Sequence, residues 1–410
     1  MTLEIDSAYQ ILKPIINQTP LQFHSRLSEL YGAKVYLKRE DLQVVRSYKI
    51  RGAYNMIQSL TLEERTKGVV CASAGNHAQG VAYSCKLLQI YGVIYMPEVT
   101  PKQKINQVRM FGGEFIEIKL IGDTFDECQK EAIGFANERK MSFVPPFDHN
   151  KIMEGQGTVG KEILAELTEI DYLFLPIGGG GLCAGVGSYF KIHSPLTKII
   201  GTEPMGAPSM KEALRAGKTI SLVKIDKFVD GAAVKKVGEL TFPICQSVLN
   251  DLVLIPEGKV CTTILNLYNL DAIVSEPAGA LSIAALDDYK EFIRGKTIVC
   301  ILSGGNNDID RMQEIKERSL LFEGLKQYFI VRFAQKPGAL KQFVNEILGP
   351  NDDIVRFEFI QKNNKESGPA LIGIELKSKD DFQSLLIRMK EYRLNFTVIN
   401  EDENLFEYLI

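Results

Sequence analysis

The sequence predicts an α/β protein that carries a second, smaller α+β domain toward its C-terminal end. From residue 30 to about residue 320, short apolar runs alternate with stretches of helical periodicity, which is the pattern of a layered α/β fold. Several runs are apolar on both faces, as strands of a parallel sheet covered by helices must be. The candidate strands are residues 35–37, 68–71, 90–95, 115–118, 172–175, 199–201 and 297–302.

The pattern changes near Leu320, where strand candidates and amphipathic stretches follow in the order β-α-β-β-α-β. That order is typical of the ferredoxin-like motif. The strand candidates are residues 329–333, 354–360, 370–376 and 396–399, and apolar residues at helical spacing fall within 340–348 and 382–389. We therefore expect a main α/β domain over residues 1–322. A second domain is expected over 325–410, with the joint at Glu323-Gly324.

Composition and charge exclude several classes of partner and site. The 410 residues have 45% hydrophobic side chains and a formal net charge of -3, so nucleic acid and anionic membranes are not expected partners. The start at Met1 shows no export signal and no stretch has the length of a membrane span, which predicts a cytoplasmic protein. The seven cysteines form no Cys-x-x-Cys pair and histidines number only four, so no zinc-type cluster is expected.

The most informative segment is Ser47-Tyr48-Lys49-Ile50-Arg51-Gly52-Ala53. An amine held among apolar neighbours loses its preference for the charged form and becomes nucleophilic toward an aldehyde near neutral pH. The segment therefore indicates a lysine that forms a Schiff base with pyridoxal phosphate, a cofactor that also needs a phosphate site and a group facing its pyridine nitrogen. For this heptapeptide alone, a surface lysine at a helix start is the alternative.

A run of four glycines from Gly178 to Gly181 follows the apolar run at 172–175 and precedes a helix-like stretch. Successive backbone N–H groups in such a run can turn toward one anion, and the dipole of the helix adds attraction. This arrangement suits a phosphate, whereas a dinucleotide fingerprint requires Gly-x-Gly-x-x-Gly and an acidic residue roughly twenty positions later. The alternative is a tight turn without a ligand, although consecutive glycines weaken folding unless something requires them.

Two polar turns also follow candidate strands. In Ser303-Gly304-Gly305-Asn306, the hydroxyl would lie at the carboxyl end of a sheet strand, where it can hydrogen-bond a pyridine nitrogen without holding it protonated; ordinary turn chemistry is the alternative. The run Ser73-Ala74-Gly75-Asn76-His77 supplies hydroxyl, amide and backbone donors suited to a carboxylate. For His77, a histidine that is only hydrogen-bonded in the turn is favoured over a general base, because nothing in the sequence orients it toward a proton.

Two further segments can line the same pocket, and a third is expected to serve only as a connection. Glu276-Pro277-Ala278-Gly279-Ala280 and Gly155-Gln156-Gly157-Thr158 have the composition of small-residue turns, for which ordinary helix starts are the favoured interpretation. Pro145-Pro146-Phe147-Asp148 is interpreted as a domain-crossing loop. The sequence assigns none of the three to the site.

Together these motifs resemble, in the same order along the chain, those of the fold type II pyridoxal-phosphate enzymes, whose catalytic domain is like that of the tryptophan synthase β chain. The resemblance is strongest to the threonine dehydratases, runs from about residue 10 to the end and also includes Asp230-Gly231-Ala232-Ala233. The C-terminal domain resembles the ACT-like regulatory domain of the same enzymes, present once rather than twice. The resemblance thus implies a catalytic domain over residues 1–322, built of two α/β lobes with a small lobe at approximately 43–145 inserted in a large lobe. It implies an ACT-like domain over residues 325–410.

The resemblance implies a role for each matching residue. Lys49 would bind pyridoxal 5'-phosphate covalently and act in catalysis, while Asn76 would hydrogen-bond the cofactor's phenolic oxygen and Ser303 would face its pyridine nitrogen. The phosphate would be held by Gly178, Gly179, Gly180, Gly181 and Leu182. The substrate carboxylate would be received by Ser73, Ala74, Gly75, Asn76 and His77. Tyr48 is a mild departure, because the family usually has phenylalanine before the lysine.

Two other positions separate relatives that share this fold. Serine racemases carry a second serine where this chain has Ala74, and an alanine cannot move a proton, so racemisation is not expected. Those relatives also bind a divalent cation through a glutamate and an aspartate six positions later. Glu203 is present in this chain, but Ser209 takes the place of the aspartate, so no metal is expected.

The resemblance predicts a lyase that dehydrates and deaminates L-threonine to 2-oxobutanoate and ammonia, the first step of isoleucine biosynthesis. L-serine is a second candidate substrate, isoleucine and valine are candidate effectors of the ACT-like domain, and a homotetramer is the expected assembly. A catabolic serine/threonine dehydratase is the alternative enzyme, and the appended domain argues against it. An inactive amino-acid-sensing protein is the alternative outside enzymes; the intact Lys49, four glycines and Ser303 argue against it.

Overall fold

A computed structural model describes residues 3–360 and 366–400, and the chain divides into two compact units, Met1–Asp308 and Ile309–Ile410. The strands of the first unit are β1 (Leu21–Phe23), β2 (Lys34–Arg39), β3 (Val69–Ala72), β4 (Gly92–Met96), β5 (Ile116–Leu120), β6 (Ser142–Phe143), β7 (Tyr172–Pro176), β8 (Lys198–Pro204), β9 (Asp251–Ile255) and β10 (Thr297–Leu302). Its α-helices are α1 (Ile5–Leu12), α2 (Ser25–Tyr31), α3 (Lys49–Ser59), α4 (Leu62–Lys67), α5 (Asn76–Leu88), α6 (Lys102–Gly112), α7 (Phe125–Arg139), α8 (Asn150–Glu166), α9 (Gly181–His193), α10 (Ser209–Ala216), α11 (Thr241–Val248), α12 (Glu257–Asp271), α13 (Pro277–Ala284) and α14 (Lys290–Ile293). Across the described residues, no helix combines the length and the apolar character that a membrane span requires.

The large sheet of the first unit has the strand order β1-β2-β10-β7-β8-β9. Its neighbouring strands are parallel except for β1, which runs antiparallel to β2. Strand β7 is buried along its whole length, as expected for a sheet covered on both faces. Because β7 and β10 are parallel neighbours, the turns that follow their carboxyl ends lie side by side. The four glycines and Ser303 follow these two strands.

The small sheet has the strand order β5-β4-β3-β6 and is parallel throughout. Strands β3 and β4 are fully buried, and β3 leads into the turn that begins at Ser73. All seven strands expected in this unit are confirmed within a few residues, whereas β1, β6 and β9 were not predicted. The limits of the small lobe near residues 43 and 145 stay a prediction.

The segment Gly155-Gln156-Gly157-Thr158 lies in the middle of α8, so its interpretation as a turn or helix start is wrong. Its glycines instead allow α8 to pack closely against two other helices. A Cβ added at Gly155 would overlap the carbonyl of Arg51 in α3, and one at Gly157 would come within 3.0 Å of the Gly185 carbonyl oxygen in α9. Small residues at these crossings bring α3 and α9, which carry the site, against one central helix.

The second unit contains α15 (Met312–Phe322), β11 (Lys326–Ala334), α16 (Ala339–Gln342), β12 (Asp353–Phe359), β13 (Ser367–Glu375), α17 (Asp381–Glu391) and β14 (Asn395–Val398). Its antiparallel sheet has the order β12-β13-β11-β14, which confirms the ferredoxin-like prediction. The helix expected within 340–348 is instead a short α-helical turn followed by a π-helical segment, Phe343–Ile347. The division predicted between residues 322 and 325 stays a prediction; Glu317 of α15 accepts hydrogen bonds from Lys326 and Tyr328 of β11.

Candidate active site

Lys49 is the first residue of α3, and its half-buried amine points at the backbone of a crossing segment. Its Nζ donates a hydrogen bond to the carbonyl oxygen of Pro146 at 3.1 Å. Burial lowers the pKa of the Lys49 amine to about 8, although the carboxyl group of Glu276 acts in the opposite direction. A large fraction of this amine is therefore neutral near pH 8, where an ordinary lysine is charged.

A buried ionic cluster fixes the start of α3. The guanidinium of Arg51 donates to Glu40 at 2.8 Å and to Glu162 at 2.7 Å, and Lys38 Nζ donates to Glu162 at 2.7 Å. Two positive and two negative groups balance in a region with no exposed side chain, so removal of any one would leave an unpaired buried charge. Since Arg51 lies two residues after Lys49, this cluster fixes the backbone from which the Lys49 side chain extends.

The four glycines connect β7 to α9, and two of them cannot carry a side chain. The φ angle of Gly180 is +94°, in the region that favours glycine, and a Cβ at Gly179 would overlap the ring of Phe147. Within residues 3–360 and 366–400, the backbone N–H groups of Gly179 to Leu182 donate to no protein acceptor. They form a row of donors at the N-terminus of α9, an arrangement that attracts an anion.

Ser303 directly follows β10 and lies next to the lysine segment. Its carbonyl oxygen accepts the backbone N–H of Tyr48 at 3.2 Å, and the neighbouring residue Gly304 forms an isolated β-bridge with Ser47. The Ser303 side chain is buried, yet its hydroxyl hydrogen-bonds to no other group in the described part of the chain. The hydroxyl is thus free to face a ligand beside Lys49.

The turn after β3 places Ser73 to Asn76 in half-buried positions. The Ser73 hydroxyl oxygen accepts the N–H of Gly75 at 3.2 Å, and α5 begins at Asn76. The side-chain amide of Asn76 is held at both of its polar atoms. Its Nδ2 donates to Glu276 Oε1 at 2.6 Å, and its Oδ1 accepts from Asn306 Nδ2 at 2.7 Å. The start of α5 therefore presents a fixed amide and a helix N-terminus, which suit a carboxylate.

His77 occupies the same helix but is turned into the protein. Its Nε2 makes a 2.9 Å hydrogen bond with the carbonyl oxygen of Val144. Burial, together with the charge of Lys49, lowers the pKa of His77 to about 3. A neutral ring bound to the backbone favours the interpretation as a hydrogen-bonded histidine over that as a general base.

Glu276 is a site residue that the sequence interpretation missed. Its segment is a helix start, as expected, with Pro277 as the first residue of α13. The buried carboxyl group nevertheless faces Asn76 and lies where a Cβ at Gly304 would approach it within 2.5 Å. Burial raises the pKa of Glu276 to about 7, against the effect of its hydrogen bond from Asn76. An acidic residue immediately before a helix-starting proline was the available sequence signal.

The segment Pro145-Pro146-Phe147-Asp148 is more than the crossing loop that the sequence indicated. The Pro146 carbonyl holds Lys49, the Phe147 ring covers Gly179, and Asp148 accepts the N–H of Leu240 at 2.8 Å. Three consecutive residues thus connect the lysine with the glycine run. Tyr48 connects the lysine segment to Ser303 through a backbone hydrogen bond, and Glu276 contacts Asn76 and lies beside Gly304. Together with the Pro146–Phe147 contacts, these connections bring the predicted segments of the site into one region of the first unit.

Glu203 acts as a cap for a helix in this structure. Its carboxylate accepts the backbone N–H groups of Met210 at 2.7 Å and Lys211 at 2.9 Å, at the start of α10, and Ser209 lies beside it. Burial raises the pKa of Glu203 to about 8 against these hydrogen bonds. Among the residues that the structure describes, no group of three or more His, Cys, Asp and Glu side chains is arranged for a metal ion.

Comparison with known proteins assigns both parts of the chain. Residues 12–304 match the family model described as pyridoxal-phosphate dependent enzyme, and residues 317–409 match that of the C-terminal regulatory domain of threonine dehydratase. This chain belongs to the pyridoxal-phosphate dependent enzyme family. A biosynthetic L-threonine dehydratase, IlvA, of Halalkalibacterium halodurans is 60% identical over 99% of this chain and 98% of its own length.

Solved structures of the family agree with the fold. The processed form of threonine deaminase isoform 2 from Solanum lycopersicum is 41% identical, with a TM-score of 0.72, over 77% of this chain and 94% of its own. Maize serine racemase is 30% identical, with a TM-score of 0.72, over 77% of this chain and 96% of its own. These findings confirm the predicted fold class and cofactor.

The geometry of the site fits the cofactor of this family. The unpaired N–H groups of Gly179 to Leu182 match the oxygens of a phosphate, and a side chain at Gly179 would be excluded. Lys49 would hold the aldehyde, since its amine is neutral enough to react. Ser303 would face the ring nitrogen with its unpaired hydroxyl. These individual roles stay predictions.

Replacing Glu276 by glutamine is expected to lower the pKa of the Lys49 amine below about 8, because the Glu276 carboxylate favours the charged ammonium. Glutamine retains an Oε1 that can accept from Asn76. Since Glu276 ionises with a pKa of about 7, the difference should be present above that pH and disappear below it. The measurement is the pH midpoint for capture of pyridoxal by cofactor-free protein, with Glu63→Gln on an exposed helix as control. An unchanged midpoint in Glu276→Gln would contradict the assignment of this carboxyl group.

Proposed function

We propose that this chain is an L-threonine dehydratase, a lyase that converts L-threonine to 2-oxobutanoate and ammonia in the first step of isoleucine biosynthesis. The observation that carries the proposal is the Lys49 amine, whose pKa is lowered to about 8 and which donates to Pro146, the neighbour of the Phe147 ring that lies against Gly179. Full-length similarity to a relative named biosynthetic L-threonine dehydratase supports the choice of substrate.

Different side chains remove the Cα proton and bind the substrate carboxylate. Pyridoxal 5'-phosphate, when bound, supplies an electron-withdrawing ring that makes the Cα–H of an amino acid acidic. Lys49 Nζ takes that proton, because with a pKa of about 8 roughly half of the amine is neutral near pH 8. The N-terminus of α5, with Ser73 and Asn76, receives the substrate carboxylate and so directs Cα toward Lys49.

Ser303 determines which reaction follows proton removal. A neutral hydroxyl can hydrogen-bond the ring nitrogen but does not hold a proton on it, as a carboxylate would. A ring held in this way would withdraw electrons less strongly, which would suit prompt loss of the β-hydroxyl of threonine better than reactions that store a carbanion. The β-hydroxyl takes up one proton, which balances the proton that Lys49 removed from Cα, and leaves as water. Hydrolysis of the released enamine by a water molecule gives the oxo acid and ammonia.

Other activities of the fold are less well supported. Maize serine racemase matches the structure, but Ala74 has no group that can carry a proton, so racemisation is not proposed. A catabolic dehydratase has less support because residues 317–409 match a regulatory domain. An inactive sensor has less support because Lys49, the glycines and Ser303 are all present. L-serine remains a second candidate substrate.

The second unit contains a cavity that suits an amino-acid effector. It has a volume of about 480 Å³, within the usual range of small-molecule pockets. Its wall is mainly apolar, with two lysines, Lys336 and Lys341, that can neutralise a carboxylate. The apolar lining includes Phe333, Leu340, Phe357 and Phe359. We propose this cavity as the site for isoleucine, with valine as its competitor.

Removal of the regulatory domain is expected to abolish the response to isoleucine and valine while turnover remains. An effector can act only through different affinities for two arrangements of the protein, a coupling of about 1–3 kcal/mol. The measurement compares 2-oxobutanoate formation by the full-length chain and by a chain that ends at Phe322, each with and without the two amino acids. If the full-length enzyme is indifferent to both, the single ACT-like domain is structural and the regulatory proposal is wrong.

We also propose a homotetramer located in the cytoplasm. The expectation of four subunits rests on the resemblance to threonine dehydratases. The compartment is supported by the biosynthetic role of the relative and by seven cysteines that are all buried as free thiols. Sedimentation of the cofactor-loaded protein tests the assembly directly.

The proposed function is tested by an oxo-acid assay with L-threonine and L-serine. Both substrates are followed at a series of concentrations so that kcat/KM is compared rather than a single rate. The proposal predicts release of 2-oxobutanoate from L-threonine with a higher kcat/KM than that of pyruvate from L-serine. No oxo acid from either substrate, with pyridoxal 5'-phosphate bound, would rule out the dehydratase.

A further inference from the structure

Helix α11 holds the glycine run from the side opposite to its N–H groups. The carbonyl oxygen of Gly179 accepts from Thr241 Oγ1 at 2.6 Å and from the N–H of Gly238 at 3.2 Å. The carbonyl oxygen of Gly180 accepts from Cys245 Sγ at 3.4 Å. Thr241 and Cys245 are completely buried and lie one turn apart on α11. Both donors therefore contact consecutive peptide groups of the same run.

Because the peptide bond is planar, a contact on a carbonyl oxygen of the run also sets the direction of the N–H group that follows it. In a trans peptide, the C=O of one residue and the N–H of the next point in opposite directions. A donor on the Gly179 oxygen thus fixes the direction of the Gly180 N–H, and one on the Gly180 oxygen fixes that of the Gly181 N–H. The Gly180 oxygen also accepts the N–H of Ala184 within α9 at 2.8 Å, so the helix itself helps to hold that plane. The Gly179 oxygen accepts only from Thr241 and Gly238 among the described residues, and glycine has no side chain to restrict its own rotation, so this plane depends on those two contacts.

Asp148 in turn fixes the start of α11. Its carboxylate accepts the backbone N–H groups of Glu239 at 2.9 Å, Leu240 at 2.8 Å and Thr241 at 3.2 Å. These are the orphan donors of the helix N-terminus, for which a carboxylate is a favourable partner. Because Asp148 follows Pro146 and Phe147, the same segment contacts Lys49, the glycine run and α11.

We propose that Thr241 and Asp148 are positioning residues that preorganise the glycine run for a phosphate dianion. Thr241 orients the Gly179–Gly180 peptide plane through its bond to the Gly179 carbonyl oxygen, and Asp148 holds Thr241 in place by accepting its backbone N–H. This inference rests on the proposed cofactor site and extends it to two residues that do not touch the cofactor. It predicts that the pair contributes to binding of the phosphate group and not of the pyridine ring.

The test compares two ligands that differ only in the phosphate. Cofactor-free wild type and variants are titrated with pyridoxal 5'-phosphate and with pyridoxal, and binding is followed by absorbance. The quantity compared is the ligand ratio, defined as the dissociation constant for pyridoxal divided by that for pyridoxal 5'-phosphate. Thr241→Val is expected to weaken affinity for the phosphorylated ligand by about threefold to tenfold, because one oriented hydrogen bond is lost, and to leave affinity for pyridoxal unchanged. Thr241→Ser retains the hydroxyl and should keep the wild-type ratio.

Thr202→Val is the matched control for loss of a buried hydroxyl. Thr202 is also completely buried, and its Oγ1 donates to the Leu175 carbonyl at 3.2 Å in the strand before the glycine run. This variant should lower the thermal unfolding temperature but keep the ligand ratio. Asp148→Asn, which retains the shape of the side chain but loses its charge, should reduce the ratio and gives an independent test if Thr241→Val does not fold.

Two failures are distinguishable in this experiment. Equal affinity of wild type for both ligands would refute the phosphate site at the glycine run, and the positioning role with it. A wild type that prefers the phosphorylated ligand, together with Thr241→Val and Asp148→Asn variants that keep the full preference, would refute the positioning role alone. Equal weakening of both ligands in either variant would also refute it, since that is the result of a general structural defect.

Discussion

Replacement of Lys49 by alanine is expected to abolish formation of 2-oxobutanoate from L-threonine, with a loss of at least about 10³-fold. The variant loses both the amine that would hold the cofactor's aldehyde and the base that takes the Cα proton. The fold should persist, because α3 is anchored by the buried Arg51, Glu40 and Glu162 cluster rather than by the lysine. Activity is measured with the variant saturated with cofactor, and folding by circular dichroism.

Two further substitutions sharpen this prediction. Lys49→Arg keeps a positive charge but stays protonated at every pH at which the protein is folded, so it should be as inactive as alanine. Lys67→Ala, which removes an exposed lysine paired with Glu63 on α4, should be fully active. Near-normal elimination by either Lys49 variant would end the assignment of Lys49 as the catalytic residue.

An aspartate at Gly180 is expected to reduce affinity for pyridoxal 5'-phosphate by about 100-fold or more. Its carboxylate would repel the phosphate, and its Cβ would require a strained backbone at a φ of +94° and would approach Thr241 Oγ1 to 2.8 Å. Gly179→Asp should act similarly, because a side chain there meets the Phe147 ring. Affinity is measured by titration of the cofactor-free protein.

Substitution of Gly217 is a control that introduces backbone strain at a position outside the phosphate site. Its φ is +68°, it ends α10, and nothing lies within 4 Å of a Cβ added there. Gly217→Asp should therefore cost about 1 kcal/mol of stability and leave the affinity for the cofactor unchanged. If Gly180→Asp and Gly179→Asp also bind the cofactor normally, the glycine run is only a turn.

Apart from Lys49, which its own heptapeptide indicated, the parts of the site that the sequence predicted are those that follow strands. A buried apolar run and the polar or glycine-rich turn after it are adjacent in the chain, and parallel strands bring such turns to one edge of the sheet. Ser303, Gly180 and Ser73 could be predicted for this reason. The β-α-β-β-α-β order of the second unit is likewise visible as local periodicity, although the π-helical segment Phe343–Ile347 is not.

The parts that could not be predicted depend on contacts between distant segments. Gly155 and Gly157 look like turn residues locally, but their role is to let α8 pack against α3 and α9. Phe147 and Asp148 gain their roles from Gly179 and Thr241, which lie far away in the sequence. No local pattern records such pairings, because they arise only when the layers pack.

The most direct test of the central claim is reduction of the purified protein with borohydride, followed by peptide mapping by mass spectrometry. The claim is that one amine, that of Lys49, carries the pyridoxal cofactor in an elimination from L-threonine. We predict a yellow protein that loses its colour on reduction and carries a single pyridoxyl group on Lys49, with none in Lys49→Ala. A pyridoxyl group on another lysine, or none in a protein that still releases 2-oxobutanoate, would contradict it.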